Sequence, residues 1–288
     1  MPFADLTFRF DDGTSTEQGA ERARLIRDEF EVDLGTLAPF GVGPGVVSFG
    51  WWRGRDLVAN ACLAPQRLFA AGREIGGFAL QWVTVRPDLR GQGLFHDLMG
   101  RALDHAAERT RVVTLTTESP ELYDRFGFRA VAETSFAGPL TPSGGPAHHR
   151  RLDLGRAEDA ALIVDRLARR APVSLAAGDL LAPAFFLLKA LESPEIELHH
   201  LADLDAVVAI EREEVGTLTL LDVVAAEIPP LAAIAAALGG GERRAHVLFT
   251  PDRLGWTASE GVAEGGGLMV RGAWPLGRRP FMLSTMRV

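Results

Sequence analysis

The sequence predicts an α/β layer fold. Three observations carry the prediction. β-Branched and aromatic runs recur along the chain, amphipathic helical stretches separate them, and over the first 132 residues the two alternate as strand, helix, strand, helix, strand. At 288 residues, 47% hydrophobic and 24% charged, the chain has ordinary globular composition and room for one large domain or two of about 140 residues.

"TSTEQGAERARLIRDEFEVDL" opens on Thr14 and Glu17, a capping-box pair, and then carries Ala23, Ile26 and Phe30 at helical spacing. The spacing predicts a first helix, behind a short N-terminal strand. "GVVSFGWWRG" and "DLVANACLAPQRLF" read as strands, and "AAGREIGG" is a hairpin turn region leading into a third strand, "FALQWVTV". A second helix follows "RPDLRGQG". It sets Leu94, Leu98, Ala102 and Ala106 on one face, with Phe95, Met99 and Leu103 beside them. "RVVTLTT" is the next strand, "SPELYDRF" a helical turn ending at Gly127, and "FRAVAE" a strand.

"AGPLTPSGGPAHHR" concentrates proline and glycine, and the chain then begins again, which places a domain boundary at residues 145 and 146. "RRLDLGRAEDAALIVDRLARRAP" gives a strand and a helix as residues 6–32 do, "DAVVAIEREEVGTLTLLDVV" gives a hairpin, and "HVLFTPDRLGW" echoes "TLTTESPELYDRFGF". The expectation is a duplicated unit, 1–145 and 146–288. One difference is plain. After its hairpin the second half has "VVAAEIPPLAAIAAALGG", a helix running from the prolines to Gly239, with no arginine–glycine loop before it.

The net charge is −8, and Lys189 is the one lysine among thirty basic residues, the arginines being spread rather than clustered. That argues against nucleic acid or an anionic membrane as partner. Cys62 is the single cysteine, so an intrachain disulfide and a multi-cysteine metal site are excluded. The N-terminal "MPFADLTFRFDD" has no basic or long apolar region, and "LLAPAFFLLKALES" is broken by Pro183 and Lys189. The expectation is a soluble cytoplasmic protein. His148 with His149 and His199 with His200 diverge on extended chain and lack spaced acidic or cysteine partners, so no metal is expected.

The loop "VRPDLRGQGLFHDLM" lies between a strand and a helix start. Glycine lets backbone approach a ligand closely, and the first turn of a helix offers unpartnered N–H groups at the positive end of the dipole. This is an anion site, most often for phosphate. No lysine and hydroxyl residue follow Gly93, so it is not a Walker loop. His96 stands where a dinucleotide fingerprint needs its third glycine.

"VTVRPDLRGQGL" resembles motif A of the GNAT superfamily of acyl-CoA-dependent N-acyltransferases, a valine-rich strand, a proline and then Arg/Gln-x-x-Gly-x-Gly/Ala. Arg90 and Gly93 match, and Phe95 stands where the family has Gly or Ala. "SPELYDRFGFRAV" is similar to the family's Tyr-x-x-x-Gly-Phe segment, and the two together cover about residues 78–132. The resemblance implies a mixed, mostly antiparallel sheet flanked by helices. It implies that acetyl-CoA is the cosubstrate, its pyrophosphate on the amides of Arg90, Gly91, Gln92, Gly93, Leu94 and Phe95 and its pantetheine arm along Val83 and Val85. The function implied is transfer of an acetyl group to a small-molecule amine acceptor.

Direct attack by a neutral amine needs no enzyme nucleophile, only a polarised carbonyl and a proton for the leaving thiolate. Tyr123, the one tyrosine, matches the family's general acid; its alternative is a structural ring with the hydroxyl bound to a carbonyl. The base is open. Many relatives use a glutamate on the strand before motif A, where Gln81 and Trp82 stand here. Some tandem relatives use the terminal carboxylate, which makes Val288 a candidate by analogy. Trp51 and Trp52 are candidate pocket walls, of which at most one can face a pocket, and Glu29, Glu31 and Asp33 are candidates to attract a cationic acceptor. The degenerate second half shapes the acceptor pocket or a homodimer interface. The reading set against catalysis is a non-catalytic acyl-CoA-binding module.

Overall fold

The computed structural model describes residues 3, 5–144, 148–212, 214–265, 267–277 and 279–286. The boundary residues 145 and 146 and the candidate Val288 lie outside them.

The chain runs β1 (Thr7–Asp11), α1 (Thr16–Phe30), β2 (Val47–Arg53), β3 (Asp56–Ala70), β4 (Arg73–Val85), α2 (Leu94–Ala107), β5 (Val112–Thr116), β6 (Phe128–Ala130) and β7 (Glu133–Pro139). It continues through β8 (His149–Arg151), α3 (Ala157–Ala168), β9 (Ala177–Leu180), α4 (Pro183–Glu192), β10 (Glu197–Leu201), β11 (Ala206–Glu211) and β12 (Thr217–Val224). Then come α5 (Leu231–Ala237), β13 (Arg244–Val247), β14 (Glu260–Glu264) and β15 (Leu268–Gly272).

The strands form two sheets, ordered β1-β2-β3-β4-β5-β15-β6, with β9 beside β3, and β14-β7-β13-β12-β11-β10-β8. Every ladder is antiparallel except β4 with β5 and β12 with β13. This is the mixed, mostly antiparallel α/β architecture expected. Read from β8 inward, the second sheet repeats the connectivity of the first, with β7 beside β13 where β15 is beside β5. Strands therefore cross the division at residues 145 and 146: β7 lies in the second sheet, β15 in the first.

Local chemistry explains the helices. α1 is capped by Ser15, whose hydroxyl accepts from the Gln18 N–H at 3.2 Å. The expected cap, Thr14, instead donates to Asp12 Oδ1 at 2.6 Å, so the cap falls one residue later than the sequence suggests. The apolar face of α2 is buried as its spacing predicts, with Leu94, Leu98, Met99 and Ala102 at 1% exposure or less against Phe49, Ala61, Leu63 and Leu80 of the first sheet. Truncating one such leucine costs about 2–5 kcal/mol. "SPELYDRF" forms two 3₁₀ turns, Pro120–Leu122 and Asp124–Phe126, closed by Gly127 at φ 80°.

Candidate active site

The site begins where a ladder stops. β4 and β5 pair only at Phe78 with Val113 and Ala79 with Thr114, yet β4 continues to Val85. From Leu80 onward one edge of β4 has lost its neighbour, which exposes main-chain donors and acceptors to an extended ligand. The equivalent parallel pair of the second sheet stays closed over four residues, Thr217–Leu220 with Arg244–Val247. Beyond that pairing β12 runs on from Leu221 to Val224, with the Ser284 hydroxyl against the Leu221 carbonyl.

The loop beyond β4 turns on Gly91 at φ 77° and Gly93 at φ 94°, left-handed values that other residues resist. Gly93 caps α2 with no side-chain hydrogen bond, so no capping side chain occupies the first-turn N–H groups. Arg90 is tethered: its Nε donates to the Val85 carbonyl at 3.0 Å and its Nη2 to Glu29 Oε2 at 3.2 Å. The slot and loop enclose a cavity of about 530 Å³. Val83 and Val85 line it with Arg90, Gly91, Gly93, Leu94 and Phe95, and Tyr123 closes the far side. Gln92 does not border the cavity; its side chain donates to the Asp88 carbonyl at 3.4 Å. Arg90, Arg125 and His96 bring basic groups to this cavity, and no acidic residue lines it.

Phe95, the departure from the family pattern, turns its ring sideways. It meets Tyr123 edge-on at 5.7 Å and Phe126 at 5.7 Å, and so forms cavity wall. Tyr123 is 9% exposed and packs on Phe128 as well. Its hydroxyl makes no hydrogen bond among the described residues, unlike the structural alternative, in which a carbonyl would hold it. Burial pushes its pKa above the ordinary 10, so the phenol keeps its proton through neutral pH.

A second cavity, of about 670 Å³, meets the first at Val83 and Tyr123. Phe30 and Val32, Gln81 and Trp82, and the Thr116–Ser119 segment line it. So do Gly265 and Gly267, which flank residue 266 between β14 and β15. Among the described residues Glu118 is the one charged residue that lines it. Gly267 sits so close to β5 that a Cβ there would lie 2.3 Å from the Thr117 carbonyl oxygen. Sequence reasoning missed Glu118 and this glycine segment. The run "TTES" after a strand was a readable signal for Glu118; a wall contributed from 150 residues downstream left none.

Several candidates fall elsewhere. Trp51 and Trp52 are on opposite faces of β2 as expected, but both are core: Trp51 donates to Asp97 Oδ2 at 2.9 Å against α2, and Trp52 packs with Leu25 and Leu57. Neither lines either of these two cavities. Glu29 is paired with Arg90, Glu31 caps α1 at φ 61°, and Asp33 accepts from the Gly35 N–H at 2.9 Å. Ser135, His246 and Glu264 lie together, but the carboxylate takes the serine hydroxyl itself at 2.5 Å and Ser135 is fully buried, so this is no hydrolytic triad. A third cavity, about 460 Å³ between the halves, is lined by polar groups already bonded to one another, Arg170 and Ser284 to Asp222 and Gln66 to Asp179.

Residues 46–131, which hold the slot, the loop and Tyr123, match the family model of the acetyltransferase (GNAT) domain. The likeness to a GNAT domain lies in this segment. Solved structures share the fold over more than nine-tenths of the chain. The GCN5-related N-acetyltransferase from Kribbella flavida is 21% identical, over 93% of this chain and 71% of that one, with TM-score 0.56. Eis1 from Mycobacterium abscessus is 17% identical over 92% and 73%, with TM-score 0.59. A probable N-acyltransferase from Enterococcus faecalis V583 is 14% identical over 94% and 74%, with TM-score 0.57. No curated protein matches the chain in sequence. Among the described residues no helix is long and apolar enough to cross a membrane, and no group of three or more His, Cys, Asp or Glu side chains is arranged to hold a metal ion.

Proposed function

We propose that this chain is an acetyl-CoA-dependent N-acetyltransferase acting on a small-molecule amine, with one active and one degenerate GNAT-like half. The observation that carries the reading is the charge-sorted meeting of two cavities at Val83 and Tyr123, one bordered by basic groups and a glycine loop, the other, among the described residues, by the Glu118 carboxylate. An anionic donor suits the first and an amine the second.

In this reading the loop amides and Arg90 hold the donor's pyrophosphate, and the free edge of β4 holds its amide-bearing arm. The amine enters through the second cavity, drawn by Glu118, and gives up its ammonium proton to water. Its nitrogen forms a bond to the thioester carbonyl carbon, and the carbon–sulfur bond breaks. The Tyr123 hydroxyl gives its proton to the departing thiolate, and the nitrogen, positively charged once bonded to the acyl carbon, sheds a second proton that restores the phenol.

Release of CoA thiol from acetyl-CoA, followed against a panel of amines with CoA binding measured by calorimetry, tests the reading. Acceptor-dependent release supports it. Failure to bind CoA overturns it, and tight CoA binding without release from any amine favours an acyl-CoA-binding module.

A further inference from the structure

Among the described residues, four other than glycine have a positive φ. Glu31 caps α1, Ala71 is in the β3–β4 turn and Asp205 ends a 3₁₀ turn, all places where such backbone is common. The fourth, Trp82 at φ 50°, is inside a strand. A bulky residue persists there only where its surroundings over-determine it.

The surroundings do so. The register between β3 and β4 jumps from Cys62 with Gln81 to Asn60 with Thr84, so Trp82 and Val83 together oppose Ala61 in a β-bulge. Asn60, fully buried, donates from Nδ2 to the Trp82 carbonyl at 2.9 Å. Its Oδ1 accepts from the Ser48 hydroxyl at 2.7 Å, which carries the chain of hydrogen bonds across β2, β3 and β4. On its other side the Trp82 ring stacks on Phe185 of α4, centroids 5.6 Å apart at 17°, within a core cluster built largely from the second half.

The 82–83 peptide is trans and planar, so its carbonyl and its N–H point in opposite directions. A carbonyl pinned on Asn60 therefore directs the Val83 N–H away from Asn60. Val83 is the β4 residue shared by both cavities.

We propose that Asn60 is a positioning residue of the transfer step: by holding the Trp82 carbonyl it fixes the 82–83 peptide plane and aims the Val83 N–H at the oxygen of the thioester carbonyl, with Phe185 bracing the same bulge. This rests on the acetyl-CoA reading above. A donor fixed in advance polarises that carbonyl as negative charge develops on its oxygen.

The test uses the full chain and acetyl-CoA labelled with ¹³C at the thioester carbonyl, and needs no acceptor. Isotope-edited infrared difference spectra should show the bound carbonyl band of the wild type below its position in free acetyl-CoA. In Asn60→Ala the band should return towards the free value while CoA affinity, by calorimetry, stays within about threefold of the wild type. Phe185→Leu, which keeps an apolar side chain in the core, should give an intermediate shift and serves where Asn60→Ala does not fold. With an acceptor in hand, kcat should fall about 10- to 100-fold in Asn60→Ala with little change in acetyl-CoA KM. An unshifted wild-type band, or a shift that survives in both variants, overturns the role of Asn60 and leaves the CoA site standing. A wild-type chain that binds no acetyl-CoA overturns the underlying reading, and the proposal with it.

Discussion

Arg90 Nη2 lies 3.2 Å from Glu29 Oε2, so the arginine beside the glycine turns of residues 91 and 93 is partly neutralised by the last turn of α1. The Arg90 side chain is 61% exposed and that of Glu29 17%, so solvent screens the pair and its direct contribution to folding is small. Its effect falls on the ligand. Glu29→Gln removes a negative charge beside the anion cavity and should tighten CoA binding by about two- to fivefold at low ionic strength, a gain that fades as salt is added. Calorimetric titrations at two salt concentrations measure it, and weaker binding by the variant at both would show that Glu29 instead holds Arg90 in its binding position.

Gly93 makes a sharper case. Its φ of 94° is unfavourable for any residue with a Cβ, whereas the space around it is open, the nearest atom to a built Cβ being Phe3 Cζ at 3.9 Å. The penalty is thus conformational, about 1–2 kcal/mol, and does not grow with side-chain size. Gly93→Ala should weaken CoA binding by about 5- to 30-fold. A normal affinity in that variant would remove the loop from the donor site.

Tyr123 should act on the chemical step. Its hydroxyl makes no hydrogen bond among the described residues, so Tyr123→Phe should lower kcat by about 10²–10⁴-fold with acetyl-CoA affinity and melting temperature unchanged near neutral pH. The pH sign follows from burial, which raises the folded-state pKa above the ordinary 10. The stability linked to the protonated phenol is complete below pH 10 and is lost as the pH rises through the folded pKa. Tyr123→Phe should therefore be the more resistant of the two proteins to alkaline unfolding above that pH. Equal kcat in the two proteins would take Tyr123 out of the mechanism.

What the sequence made legible was local. The glycine turn before α2, the α2 face and the turns around Tyr123 each depend on residues within a few turns of one another, so spacing and glycine chemistry suffice to find them. What it hid depends on distant pairing. β15 enters the first sheet beside β5 and brings Gly267 against Thr117, and β7 leaves for the second sheet; no local pattern encodes either exchange. The tryptophans failed as pocket walls for a related reason, since alternation along β2 fixes that their faces differ but not what covers each face. Asn60 did leave a trace. It is the one polar side chain in the apolar run "LVANACLA", where a buried amide must find partners.

Cys62 bears on the route of transfer. A ping-pong mechanism would pass the acetyl group through an enzyme nucleophile, and the chain's single thiol is the obvious one to test. Cys62 is fully buried on β3, against the Asn60 amide, and burial pushes its pKa above the ordinary thiol value. A neutral, inaccessible thiol is a poor nucleophile and should stay so over a wider pH range than a free cysteine. The folded chain should resist iodoacetamide at a pH where a model thiol reacts fully, and should take up one equivalent once denatured. Intact mass after incubation with acetyl-CoA alone should show no covalent acetyl group. A stoichiometric acetyl adduct on Cys62 in the native chain would replace direct attack by the amine with a two-step transfer, and Tyr123 would then need a different partner for its proton.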